Sequence, residues 1–210
     1  MERLFYCVLL QQRLVHRRSL HVSHGSSVSW TGATFFDSNN ARSDVGIGGA
    51  LVVKSDSNAS WSGVTTYTNN AVGGDGGGVY IYDDSNASWD GVTTYTDNFA
   101  GGNGGGVCNR DSRVSYTGDT TSTFSGNSAA NWVALSVETN SSITFRGNAS
   151  FDRNSANEKQ LMALGTVVLF PFYRALPLRC MGFWRSPGTL PSKEVMCIWK
   201  TPPFRGAVRR

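Results

Sequence analysis

With 210 residues, of which 40% are hydrophobic and 16% charged, the chain carries enough apolar material for one or two packed domains, and a wholly disordered polymer is excluded. Its four cysteines, Cys7, Cys108, Cys180 and Cys197, show no Cys-x-x-Cys spacing and offer no zinc motif and no disulfide framework to read. The formal net charge of +4 describes no single stretch: residues 25–157 hold 12 acids and 6 bases, whereas residues 174–210 hold 8 bases and one acid.

The chain reads as three unlike pieces, 1–24, 25–157 and 158–210. Residues 1–24 open with a short apolar stretch, Leu4 to Leu10, followed by Gln11-Gln12-Arg13. A secretory signal needs small residues at that point, so the stretch is at best signal-like. The spacing of Leu4, Val8 and Val15 instead predicts a short amphipathic helix that caps the neighbouring repeats. The histidines His16, His21 and His24 have a spacing compatible with a metal, but a solvated segment accounts for them more simply.

Residues 25–157 contain all 15 asparagines and 20 of the 24 glycines. Within them Ser57–Asp83 is repeated as Ser85–Asp111 with 19 identities in 27 positions. Duplication at this period marks a solenoid, because each unit has an apolar face that it can bury only against the next. An aromatic-x-x-Asn motif extends the repeat to five units: Phe36/Asn39, Tyr67/Asn70, Tyr95/Asn98, Phe124/Asn127 and Phe151/Asn154. Ala41, Ala100, Ala129 and Ala156 follow the asparagine by two positions, with Val72 in the second unit. Glycine-rich turns then lead to Gly48-Gly49-Ala50-Leu51, Gly77-Gly78-Val79-Tyr80 and Gly105-Gly106-Val107-Cys108, a pattern that Asn131-Trp132-Val133 replaces in the fourth unit.

These residues resemble the repeats of bacterial polymorphic outer-membrane proteins, with their signatures Phe-x-x-Asn-x-Ala and Gly-Gly-Ala-Ile/Leu; Phe36 to Ala41 and Gly48 to Leu51 fit them closely. The resemblance covers about Ser27 to Asn157. It implies a right-handed parallel β-helix of pectin lyase-like fold, one coil per repeat, serving as an adhesive cell-surface passenger.

The residue pattern itself predicts an all-β solenoid of about four to five coils with non-repeat ends. In the second unit Ala59–Gly63, Val64–Thr68 and Val79–Tyr82 read as strands. Parallel strands stack ~4.8 Å apart, so equivalent side chains lie above one another. Phe36, Tyr67, Tyr95, Phe124 and Phe151 are expected to stack, and Asn39, Asn70, Asn98, Asn127 and Asn154 to pair as an amide ladder. In the third strand we assign Ala50, Val52, Val79, Ile81 and Val107 to the interior, leaving Leu51, Val53, Tyr80 and Tyr82 outside.

The string Gly73-Gly74-Asp75-Gly76-Gly77-Gly78 resembles the calcium-binding nonapeptide, Gly-Gly-x-Gly-x-Asp, yet Gly78 and Gly106 stand where the carboxylate is needed. A tight corner is expected, and calcium is disfavoured. Asp56, Asp84, Asp111 and Glu138 recur after 28, 27 and 27 residues. They either hold a cation, with Asp56, Asp84 and Asp111 as weak metal candidates, or project into water from turns. No catalytic or cofactor-binding residue stands out: Asp83, Asp90, Asp97 and Asp119 are scattered and Lys54 is the repeat's only lysine, unlike the paired carboxylates of a glycosidase. Tyr80 and Tyr82 are candidate ligand contacts, while Trp30, Trp61 and Trp89 either join them outside or line the interior. Asn58, Asn86, Asn140 and Asn148 head Asn-x-Ser sequons.

Residues 158–210 lack Asn and Asp and hold six prolines, all beyond residue 170. Their apolar run, Leu161–Tyr173, is too short for a membrane span of ~20 residues, and no alternating barrel strands come after it. This basic tail is expected to be disordered or foreign to the fold, the chain then being a monomer or part of a longer solenoid. The expected function is non-enzymatic, an extracellular or cell-surface role in adhesion or as a spacer, with a protein or glycan surface as partner and no nucleic acid. The alternatives are a carbohydrate-binding or polysaccharide-processing module, and a fragment without independent function.

Overall fold

A computed structural model describes residues 19–41 and 46–156 in full, with the backbone of residues 9–10, 14–16, 166–169 and 176–178. The second coil turns through four strands, Asn58–Trp61, Thr65–Thr68, Ala71–Val72 and Val79–Ile81. The third repeats them as Asn86–Trp89, Thr93–Thr96, Phe99–Asn103 and Val107–Asn109. About five such turns stack into four sheets of eight, six, five and five strands. We call these, by residues that recur in them, the tryptophan, threonine, alanine and valine sheets. Pairing is parallel and in register, Trp30 on Trp61 on Trp89 and Tyr67 on Tyr95 on Phe124; Leu176–Leu178 alone runs antiparallel, against Thr166–Leu169. The chain is thus an all-β parallel solenoid, with no helix among the described residues and hence none to cross a membrane.

Alternation along the strands decides what lies inside. Ala59 and Trp61, Thr65 and Tyr67, and Val79 and Ile81 point inward and are buried, while Ser60, Thr66 and Thr68 remain partly open. The expected aromatic column forms: Phe36, Tyr67, Tyr95, Phe124 and Phe151 stack at 4.8, 4.8, 4.7 and 5.0 Å between centroids. A second column settles the tryptophans inside: Trp30, Trp61, Trp89, Tyr116 and Phe145 stack at 5.1, 5.1, 5.3 and 4.6 Å. The columns meet edge to face, as Trp89 and Tyr95 do at 75°, a geometry worth ~0.5–1.5 kcal/mol per pair beyond area burial.

The asparagine ladder also forms. Oδ1 of Asn98 accepts from the amide and the backbone N–H of Asn70, while Nδ2 of Asn98 donates to Asn127 at 2.9 Å and to the carbonyl of Tyr67. A serine ladder runs beside the tryptophan sheet, where the N–H of Ser26, Ser57, Ser85 and Ser112 each donates to the hydroxyl of the serine one coil on, ending at Ser141. Left-handed residues turn the corners before both ladders, among them Asn69 and Asp97 (φ 53° each) and Asp56 and Asp84 (φ 59° and 54°). Asn and Asp are the non-glycine residues that tolerate this region best, which explains their recurrence.

Four expectations change. Residues 9–10, 14–16 and 20–22 form strands that pair with the first full coil, so no cap helix occupies those positions; Leu4 and Val8 lie outside the described residues. A short strand, Ala71–Val72 and its equivalents, follows each asparagine, its alanines and glycines having given no β signal. Leu51 and Val53 pair with Val79 and Ile81 in the core, while Val52 pairs with Tyr80 on the opposite face; Val52 inside and Leu51 and Val53 outside are thus one residue out, because Ala50 aligns with Gly78, whereas Ala50, Val79, Ile81 and Val107 join the core as expected. Finally, Thr166–Leu169 adds a parallel strand to the tryptophan sheet next to Ser142–Phe145, so part of the tail continues the solenoid.

Candidate functional site

The tryptophan sheet buries every second side chain and offers the others to solvent. Five rungs, Ser27/Ser29, Asn58/Ser60, Asn86/Ser88, Arg113/Ser115 and Ser142/Thr144, line a groove of about 400 Å³. Small side chains produce it: hydroxyls and primary amides leave the sheet surface low, with the alanines and valines between them facing inward. Asn86 donates to Oδ1 of Asn58 at 3.1 Å, so the amides continue a row along the groove. Arg113 is exposed, is the only charged residue of the lining, and forms no salt bridge to the described residues. No carboxylate lines the groove. The site can therefore hydrogen-bond an extended ligand in both senses but has no general acid or base on its floor.

A second polar cluster lies on the outer face of the valine sheet and spans three coils. Arg110 donates through Nε to Glu138 at 2.7 Å and through a terminal nitrogen to Asp75 at 3.4 Å. Glu138 also accepts from Asn103 at 3.0 Å, Ser136 at 3.1 Å and the Cys108 thiol at 3.4 Å, and Asp75 accepts the Asn103 backbone N–H at 2.7 Å. Burial pushes the Glu138 carboxyl up, but the hydrogen bonds and charge of Arg110 outweigh it and leave the pKa below the ordinary value. Burial, with the Glu138 and Asp75 charges, pushes the Cys108 thiol well up, so no thiolate nucleophile is available. Ligand atoms of Asp75, Cys108 and Glu138 lie within 4.8 Å of one another, yet Arg110 already supplies the cation there. The arrangement is a clamp between coils.

This cluster relocates a sequence candidate. Tyr80 sits on the outer face as expected but is only 3% exposed, because the glycine-rich corner folds over it and Arg110 lies 5.9 Å from its ring centre. It stacks on Tyr82 at 4.8 Å, and Tyr82 alone of the two reaches solvent. No outward aromatic row exists for a sugar to stack on at these positions.

Asp56, Asp84 and Asp111 do align, as left-handed corner residues whose fourth member is Asn140 and not Glu138. Asp56 and Asp84 are exposed, and Asp111 accepts from the Asn140 amide at 3.3 Å. Of the sequon asparagines, Asn58 and Asn86 belong to the groove and are tied to each other, whereas Asn140 and Asn148 are exposed at corners. Sequence reasoning missed the groove and the serine ladder. Ser26, Ser57, Ser85, Ser112 and Ser141 recur at coil spacing, and that signal was there to be read. The Asp75–Arg110–Glu138 clamp joins unlike residues from three coils and leaves no periodic trace.

Compared with protein-family models, with curated proteins and with solved structures, the chain matches none.

Proposed function

We propose that the chain is a non-enzymatic surface or secreted β-solenoid that acts by adhesion, and that it holds an extended glycan in the groove of the tryptophan sheet. The observation that carries this reading is the lining itself: five consecutive rungs of hydroxyls and amides with a single guanidinium. Such a strip suits a polyhydroxylated chain, which needs donors and acceptors repeated along its length. A hydrolase would need carboxylates on both sides of a glycosidic bond, and the lining has none. The likeness of the repeats to those of polymorphic outer-membrane proteins supports the adhesive role and the extracellular setting.

A glycan array probed with the full chain and with Ser88→Trp, which fills the groove, tests the reading. Retention on a subset of glycans that Ser88→Trp abolishes is expected. Binding to none, or equal binding by the filled variant, would refute it.

A further inference from the structure

The outer face of the threonine sheet is built differently from the groove. Thr66, Thr94 and Thr123 form one column, and Thr68, Thr96 and Ser125 form the next, every pair in register. The rings packed beneath them fix the axial repeat at 4.8 and 4.7 Å. Two residues along a strand set the other spacing at ~6.6 Å. The result is a two-dimensional grid of six hydroxyls, of which five belong to threonine, whose branched Cβ restricts χ1 and holds the hydroxyl in place. None of the six hydroxyls is used in a hydrogen bond to the described residues, so every donor and acceptor of the grid faces outward.

Charge and size narrow what the grid can meet. Its three central rungs carry no charged group and no aromatic ring, although the rungs in register at the two ends are Phe35/Asp37 and Ser150/Asp152, so over the central rungs neither an ionic partner nor a stacked sugar is favoured. The grid offers six side chains, against the ~20–30 residues a side of a stable protein interface. A rigid, neutral, periodic set of hydroxyls complements a solid that repeats its own hydrogen-bonding groups every few ångströms.

We propose that this face binds ice, its hydroxyls anchoring ordered water at the crystal surface. No bond is made or broken, and the tryptophan-sheet groove takes no part.

Ice-affinity partition and inhibition of ice recrystallisation, measured on the full chain, test the proposal. The wild type is expected to enter the growing ice and to slow recrystallisation, Thr94→Tyr to lose at least tenfold of that activity, and Ser88→Trp on the groove to keep it. Far-UV circular dichroism and thermal melting confirm that each variant folds, and Thr66→Lys replaces Thr94→Tyr if the latter does not. Exclusion of the wild type from ice, unchanged activity in the folded Thr94→Tyr or Thr66→Lys variant, or loss in the Ser88→Trp variant alone would overturn it. Loss of glycan binding with ice activity intact would sink only the groove reading.

Discussion

Asn70 donates its side-chain amide to Oδ1 of Asn98 at 2.9 Å, and the backbone N–H of Asn70 donates to the same oxygen at 3.0 Å. One buried carboxamide thus satisfies two donors of the coil below and passes its own amide to the coil above. Asn98→Ala leaves the backbone N–H of Asn70 and one of its two Nδ2 protons without an acceptor, and takes one donor each from Oδ1 of Asn127 and the Tyr67 carbonyl, each unmet donor costing ~1–3 kcal/mol. We expect a total loss of about 3–5 kcal/mol by urea denaturation, and a smaller loss for Asn154→Ala, where the half-exposed ladder end meets water.

Tyr95 stands where the two aromatic columns interlock, stacked on Tyr67 and Phe124 and edge-on to Trp89 and Tyr116. Tyr95→Ala empties a fully buried site and should cost ~3–5 kcal/mol. Tyr95→Phe keeps the ring and removes only the bond from the Tyr116 hydroxyl at 2.9 Å, so about 1 kcal/mol is expected. Phe151, 36% exposed at the end of its column, should lose less than Tyr95 on truncation. Equal losses at Tyr95 and Phe151 would contradict stacking as the source of stability.

Gly76 combines a left-handed backbone, φ 74°, with a cramped setting: an added Cβ would lie 2.6 Å from the Val79 carbonyl oxygen and 2.7 Å from Cβ of Tyr80. Gly76→Ala therefore incurs the left-handed penalty of ~1–2 kcal/mol and a clash besides. It should lower the melting temperature more than Gly126→Ala, which shares the positive φ but has a side-chain carboxylate as its nearest neighbour. The same corner shields Tyr80, so quenching of tyrosine fluorescence by acrylamide should rise in the Gly76→Ala variant.

The clamp gives the solenoid an acid-sensitive contact. Because Glu138 has a folded pKa below its unfolded value, its contribution is complete above the unfolded pKa of ~4.3 and is lost as pH falls through the folded one. Glu138→Gln should destabilise the protein at pH 7, and the gap in melting temperature between wild type and variant should close towards pH 3. A gap that stayed constant with pH would show that the carboxylate charge contributes nothing.

Much of the architecture was legible because stacked coils turn three-dimensional columns into letters at a fixed interval. The aromatic and asparagine columns followed directly from Phe36/Asn39 and its four echoes. The valine strand slipped by one residue because Gly48-Gly49-Ala50 was matched by its glycines, whereas the structure matches Ala50 to Gly78, a small residue for a small residue. The tryptophans were ambiguous because an indole suits an interior stack or an exposed stripe equally well, and only the register of Ala59 and Trp61 against Ser60 decides the face. The groove was invisible for a related reason: serine and asparagine read as turn formers, yet here they form the outer half of a strand.

The adjacent copies Ser57–Asp83 and Ser85–Asp111 occupy consecutive coils, which makes the length of this molecule adjustable only in whole steps. Excision of Ser85–Asp111 would bring Ser112 behind Asp84 and deliver Asn127 to Asn70, so each amide and ring would find a substitute of its own kind. Removal of half that stretch would face rings with hydroxyls. A chain of this design can grow or shrink by whole coils without inventing a new core.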